Sequence, residues 1–188
     1  MKRIAIMASG AGSNAANILT YFKSNNRANV VLIASNKPDA GVLNIALENR
    51  IETYLLTREN LASGSFVEHL HSLNVDLIVL AGFLWKVPEQ MVKRFPHKII
   101  NIHPALLPKY GGRGMYGHHV HEAVHTAREK ESGITIHWVN EHYDEGTIIA
   151  QYSTPIEPND TVADIERKVR SLEMEWFPNV IDNLLTIC

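Results

Sequence analysis

Cysteine is almost missing from this 188-residue chain: the only one is Cys188, the last residue. A disulfide framework within the chain is therefore impossible, which fits a reducing, cytoplasmic setting. An excess of one charge is missing as well. Eighteen basic residues stand against 20 acidic ones, a net charge of −2, so no general basic field recruits nucleic acid. No window reaches the roughly 18 apolar residues of a membrane span. The apolar run in the opening "MKRIAIMASG" is too short for a signal-peptide core followed by a cleavage site. Internal repeats, low-complexity tracts and linkers do not occur. What remains is ordinary for a globular protein: 45% apolar and 20% charged residues, over a length that supports one domain with a real core.

The first hundred residues alternate between two periods. "KRIAIMA", "NVVLIAS", "ETYLLT", "DLIVLAGF" and "HKIINIH" read as strands. "SNAANILTYFKSN", "AGVLNIALENR", "SFVEHLHSLN" and "PEQMVKRF" read as the helices between them. Strands apolar on both faces, separated by helices, indicate βαβ units and a parallel sheet. At residue 104 the pattern breaks. "PALLPKYGGRGMYG" carries two prolines and four glycines and reads as a loop, and "HHVHEAVHTARE" resumes as a helix. "GITIHWVN" and "GTIIAQYSTPI" form either an antiparallel pair or a strand-loop-strand continuing the sheet. "TVADIERKVRSLEMEWFPNVIDNLL" closes the chain as a long helix, with Thr161 as N-cap and Asp164 in its first turn. The expected class is α/β: three layers on a mostly parallel sheet, with a Rossmann-like N-terminal half, a C-terminal antiparallel extension and a long terminal helix.

"ASGAGSNAANI" lies between the first strand and the first helix. Gly10 and Gly12 permit positive φ and close backbone approach, and Ser13 and Asn14 are candidate caps. The exposed N–H groups of such a helix start suit an anion, phosphate above all. The loop reads equally as a plain tight turn. The pattern G-x-G-x-x-G fails at Ala15 and no acidic residue ends the second strand, which argues against a nicotinamide dinucleotide.

"NIHPALLPKY" ends the fifth strand. Side chains alternate along a strand, so Asn101 and His103 point the same way. They stand at the carboxyl edge of the sheet, where open α/β folds bind ligands, and Pro104 turns the chain out. A neutral imidazole moves a proton near neutral pH, and an amide donates to an oxygen that gains negative charge. The pair suits transfer at a carbonyl, or else it merely satisfies loop backbone groups. Asp144, in "NEHYDEGTI", is the candidate carboxylate beside His103, where it would raise the imidazole pKa. It can equally cap a turn beside Gly146. No G-x-S-x-G motif appears, so a hydrolase triad has little support. His118, His121 and His125 share a helix face with His119 beside them, a spacing that can hold a divalent ion. No carboxylate or cysteine pattern completes it, and a solvated polar face is the commoner outcome.

These segments together resemble the phosphoribosylglycinamide formyltransferases, within the formyl-folate transferase family, nearly end to end. The likeness rests on "SGAGSN", "LAGFLWKVP", "NIHPALLPKY", "ITIHWVNEHYDEGTIIAQ" and "SLEMEWFP". It implies transfer of a formyl group from 10-formyltetrahydrofolate, as co-substrate, to the amine of glycinamide ribonucleotide in purine biosynthesis. Asn101 is similar to the residue that bonds the formyl oxygen, His103 to the general acid, and Asp144 to the carboxylate that raises the histidine pKa. Gly12, Ser13 and Asn14 fall where the family holds phosphate and ribose, and Glu173 where it meets the glycinamide end. Arg58 and the run Leu84, Trp85, Lys86, Val87 fall where it receives the folate. His137 belongs to the shared motif, as site support or as structure. The resemblance implies one formyltransferase domain over 1–188: a nucleotide-binding half, 1–100, and a catalytic and folate-cleft half, 101–188. It implies no metal or redox cofactor, no nucleic-acid or membrane partner, and a monomer or homodimer.

One region departs from the family. "KYGGRGMYGHHVHEAV" is several residues longer than the "KYPG" segment common there and puts Gly111 in place of the proline. Arg113 in it either reaches a substrate or is a solvated loop residue. Trp85 either shields a pteridine or packs against the sheet. The rivals are a formyltetrahydrofolate hydrolase or methionyl-tRNA formyltransferase, whose extra domain 188 residues are expected not to accommodate, and a non-catalytic nucleotide- or folate-binding protein.

Overall fold

The computed structural model describes residues 1–187; Cys188 lies outside the described residues. The strands are β1 (Lys2–Met7), β2 (Ala28–Ser35), β3 (Glu52–Leu55), β4 (Leu77–Leu80), β5 (Ile99–His103), β6 (Glu131–Trp138) and β7 (Ile148–Pro155). The helices are α1 (Ser13–Asn25), α2 (Gly41–Glu48), α3 (Arg58–Ala62), α4 (Ser65–Ser72), α5 (Glu89–Arg94), α6 (His118–Thr126) and α7 (Val162–Ile187). The strands form one sheet in the order β3-β2-β1-β4-β5-β6-β7.

β1 to β5 pair in parallel. Helical crossovers join them, as parallel pairing requires. β6 runs antiparallel to β5, and β7 antiparallel to β6. The last two strands thus continue the sheet as an antiparallel extension, which resolves the choice the sequence left open.

Period two along β1 builds both sides of the core. Ile4, Ile6 and Ala8 pack with Ile18 and Phe22 of α1, Val120 of α6 and Phe177 of α7. Ala5 and Met7 pack on the other face with Phe66 and Leu70 of α4 and Met91 of α5. Three layers result. A large side chain buried this fully is worth about 1.5–3 kcal/mol over its exposed state, so the sheet's alternating apolar residues dominate its stability.

Two details differ from the sequence reading. Ser13 and Asn14 do not cap α1. The N-cap is Gly12, at φ 86°, and it makes no side-chain cap. A Cβ there would press on Val42 and Ile45 of α2 at 2.8 Å, so glycine is needed both for the turn and for the approach of α2. α3 was not anticipated, because five residues carry too little periodicity. A reciprocal capping box between Thr57 and Asn60 starts it.

α7 begins as its sequence indicates. The Thr161 hydroxyl accepts from the Asp164 N–H at 3.2 Å, and the Asp164 carboxylate accepts from the Thr161 N–H at 3.0 Å. Pro178 sits inside α7 and has no N–H, so it leaves the Met174 carbonyl without its helical donor. Asn17 Nδ2 supplies one at 2.7 Å. Asn14, Asn17 and Tyr21 share one face of α1 and meet Glu173, Met174 and Asp182 of α7. This clasp draws Glu173 to the glycine loop from 159 residues away in the chain.

Candidate active site

The strand order reverses direction at β1 and β4, and there the crevice of an open α/β sheet opens at the carboxyl edge. Three strand ends meet in it. Ser9, two residues past the end of β1, accepts from the Leu84 N–H at 3.0 Å and donates to Asn36 Oδ1 at 2.5 Å, while its own N–H donates to the Gly82 carbonyl at 3.0 Å. One buried hydroxyl thus ties the glycine loop to the segment after β4. The sequence reading passed over Ser9, since a serine beside a glycine looks like ordinary turn chemistry.

Asn101 and His103 project from β5 on the same side, and β6 lies next to them with Asn101 opposite His137 and His103 opposite Thr135. Asp144 comes in from the β6–β7 loop. Its Oδ2 lies 3.6 Å from His103 Nδ1, and its Oδ1 lies 3.4 Å from Asn101 Nδ2 and 3.6 Å from His137 Nε2. The Gly112 N–H donates to Oδ2 at 2.9 Å. Asp144 therefore faces the two β5 residues, and does more than cap its turn. Its backbone is left-handed, φ 56°, a region that aspartate tolerates better than most residues. The glycine-rich segment is thus part of this site: the Gly112 N–H holds the carboxylate, and a Cβ at Gly111 would come within 3.3 Å of the Asp144 Cβ. Arg113 is exposed.

His103 is buried, and its Nε2 lies 2.7 Å from the Tyr110 carbonyl. A carbonyl only accepts, so Nε2 carries a hydrogen and Nδ1 is the nitrogen that gains or loses the proton opposite Asp144. Burial pushes the His103 pKa down. The Asp144 charge and the Tyr110 carbonyl pull it up, His137 pushes it down again, and the net result lies below the ordinary imidazole value. Asp144 thus acts in the expected direction, but desolvation outweighs it, a balance that no sequence spacing reveals. Burial pushes Asp144 up; His137, His103 and the Gly112 N–H together hold it below the usual carboxylate value.

The loop that presents the Tyr110 carbonyl is stapled from beneath. Thr135 Oγ1 donates to the Ala105 carbonyl at 2.6 Å and accepts from the Leu107 N–H at 3.0 Å and from Gln151 Nε2 at 2.8 Å. Gln151 also donates to the Leu107 carbonyl at 2.9 Å. Neither residue was singled out from sequence, because a strand threonine gives no sign of what lies across it. Thr135→Val keeps the shape and strands these partners. It is expected to cost about 1–3 kcal/mol in urea unfolding, with turnover falling as the Tyr110 carbonyl loses its support.

The candidate substrate residues separate into two groups. Gly12, Ser13 and Asn14 form the start of α1, and Asn14 Nδ2 donates to Glu173 at 3.0 Å. Burial pushes Glu173 up, Asn14 and Arg170 pull it down, and the net shift is upward. On the other side, the Arg58 guanidinium stacks 3.9 Å above the Trp85 ring, which packs on the core beneath β4. Leu84 and Lys86 are exposed and Val87 is buried.

The α6 histidines do not converge. His118 and His119 lie at the surface against Glu122, His125 is exposed, and His121 turns into the core. Among the described residues no group of three or more His, Cys, Asp or Glu side chains is arranged to hold a metal ion. Nor, among them, is any helix long and apolar enough to cross a membrane.

Burial also pushes the His121 pKa down, against the upward pull of Glu166. A histidine with a depressed folded pKa stays neutral while the unfolded chain takes up a proton. Its stability contribution is therefore complete above about pH 6.5 and is lost as pH falls through the folded pKa. Urea unfolding followed downward from pH 7.5 is expected to show falling stability, at most about 1.4 kcal/mol per pH unit for each proton taken up. His121→Leu is expected to make that fall shallower.

A family model described as formyl transferase matches residues 2–181. A chloroplastic phosphoribosylglycinamide formyltransferase of Arabidopsis thaliana is 37% identical over 187 residues, covering 96% of this chain; the chain spans only 64% of that protein's length. The phosphoribosylglycinamide formyltransferase of Bacillus subtilis is 37% identical over 191 residues, covering 98% of this chain and 95% of that protein. The crystal structure of the enzyme of that name from Anaplasma phagocytophilum superposes with a TM-score of 0.89 at 31% identity, covering 98% of this chain and 86% of that one. A likeness so nearly complete in sequence, and matched by the fold, places this chain in the formyl transferase family.

Proposed function

We propose that the protein moves the formyl group of 10-formyltetrahydrofolate to the amine of glycinamide ribonucleotide, giving formylglycinamide ribonucleotide and tetrahydrofolate in purine biosynthesis. The observation that carries this reading is the meeting of Asn101, His103 and Asp144 at the sheet's carboxyl edge. The relatives' names support it. In this reading the chain is one formyltransferase domain. Residues 1–100 form the nucleotide-binding half and also supply Arg58 and Leu84 to Val87 toward the folate, and residues 101–188 carry the catalytic groups. It works in the cytoplasm, as a monomer or homodimer, without a metal.

The amine nitrogen bonds to the formyl carbon, and the carbonyl oxygen gains negative charge. Asn101 Nδ2–H donates to that oxygen, and His103 joins it once its Nδ1 is protonated, a form that the Asp144 charge favours and desolvation opposes. Breaking the bond to the folate nitrogen then returns the electron pair to that atom, which takes up the proton lost by the amine. The start of α1, through Gly12, Ser13 and Asn14, holds the phosphate and ribose by backbone N–H groups and the helix dipole. Glu173 accepts from the glycinamide end. Arg58, Trp85 and the backbone from Leu84 to Val87 receive the folate. Holding both reactants in one cleft removes much of the entropic barrier.

A spectrophotometric assay with a formyl-folate analogue tests the reading. Deformylated folate released only when glycinamide ribonucleotide is present supports the transferase. Release without the nucleotide indicates a hydrolase, and tight binding without turnover a binding protein.

A further inference from the structure

His137 has no part in the chemistry above, yet it touches both neighbours of the reacting atoms. It is 2% exposed, and β6 holds it directly opposite Asn101. Its Nδ1 lies 2.9 Å from the Trp138 carbonyl oxygen and its Nε2 3.2 Å from Asn101 Nδ2. A carbonyl offers only lone pairs, so Nδ1 carries the hydrogen. Nε2 is then bare in the neutral ring and accepts.

We infer that His137 is a positioning residue for Asn101: its Nδ1–H tautomer holds the Asn101 amide with the NH2 group, not the carbonyl, on the Asp144 side. One amide hydrogen goes to His137 Nε2. The other faces Asp144 Oδ1 at 3.4 Å, near the limit of a hydrogen bond. That loosely held hydrogen is the one free to move to a substrate oxygen as charge builds on it. A flipped amide would set its Oδ1 against the Nε2 lone pair and the Asp144 carboxylate, two contacts between acceptors. The other imidazole tautomer would set a bare Nδ1 against the Trp138 carbonyl. With the His137 ring neutral, the four groups therefore have one arrangement in which no two acceptors meet at hydrogen-bond distance.

Gly146 belongs to the same device. A Cβ there would overlap the Trp138 carbonyl oxygen and come within 3.4 Å of His137 Nδ1. Glycine leaves the carbonyl room to fix the tautomer. The consequence for catalysis follows from charge. An amide N–H stabilises an oxyanion, while an amide oxygen in the same place repels it.

This inference rests on the formyl-transfer reading for its kinetic arm but not for its spectroscopic one. The full chain, labelled with 15N-histidine and without substrate, is expected to show His137 with a protonated Nδ1 and a bare Nε2 at pH 8. The signal is assigned by its loss in H137Q. A protonated Nε2 with a bare Nδ1 overturns the proposal. In steady-state kinetics H137L is expected to lose on the order of 10²-fold in kcat, with KM for both substrates little changed, as for a misplaced catalytic donor. H137Q, whose Oε1 can accept where Nε2 did, is expected to recover roughly tenfold or more of that loss, since the donor is again oriented. Equal losses in both variants, or no loss in either, overturn the proposal. Should H137L fail to fold, H137Q and the tautomer measurement still decide. A wild-type protein without turnover refutes the transferase reading, and the spectrum then decides the tautomer alone.

Discussion

Replacing His103 with alanine is expected to reduce turnover by about 10²–10⁴-fold, the usual contribution of a positioned acid or base. The nucleotide Kd, measured by calorimetry, should hardly move, since the glycine loop and Glu173 sit on β1, α1 and α7 and not on β5. The loss should be large because the imidazole serves the site twice. Its Nδ1 faces Asp144 at 3.6 Å, and its Nε2 fixes the Tyr110 carbonyl at 2.7 Å. Alanine removes the donor and leaves the Asp144 carboxylate facing a void. A variant that keeps most of its rate, or that loses nucleotide binding in step with turnover, refutes the role given to His103.

Gly146→Ala is expected to act through geometry alone. The added methyl adds no charge and removes no hydrogen bond, but it cannot coexist with the Trp138 carbonyl oxygen. One of the two backbones must move. Overpacking of this kind typically costs about 1–3 kcal/mol, visible as a lower urea midpoint. Because Asp144 is two residues away and its Oδ2 accepts from the Gly112 N–H, the carboxylate should swing out of register with His103. A shift near 1 Å at such a site commonly costs on the order of 10²-fold in rate. Full activity with unchanged stability would show that the loop relaxes freely and that its packing does not set the position of Asp144.

Much of this was legible from the residues, and the legible part has a common character. The alternation of "KRIAIMA" and the helical spacing of "SNAANILTYFKSN" depend on neighbours a few positions apart, so β1 and α1 are where the sequence indicates. Asn101 and His103 share a side because a strand has period two, and Thr161 with Asp164 starts α7 through contacts three residues apart. What was missed or left open involves distant partners. Ser9 gains its meaning from Leu84, 75 residues on. Thr135 gains its meaning from Ala105 and Leu107, and the His137 choice between structure and site support turns on Asn101 across the β5–β6 pair. The expectation that Ser13 and Asn14 cap α1 failed for a similar reason: Gly12 already makes the turn, and Asn14 is drawn away by Glu173.

The sequence by itself thus determined the order and kind of the elements apart from α3 and the pairing of β6 and β7, the two faces of the sheet and the side on which the β5 polar pair emerges. Only the tertiary structure decided how close Asp144 comes to that pair. It also decided which imidazole nitrogen is free, which way the amide points, and that burial outweighs the carboxylate at His103. The reason is range. Backbone periodicity is set by covalent neighbours. Side-chain distances and desolvation at a site sum over strand register, loop path and packing contributed by segments far apart along the chain.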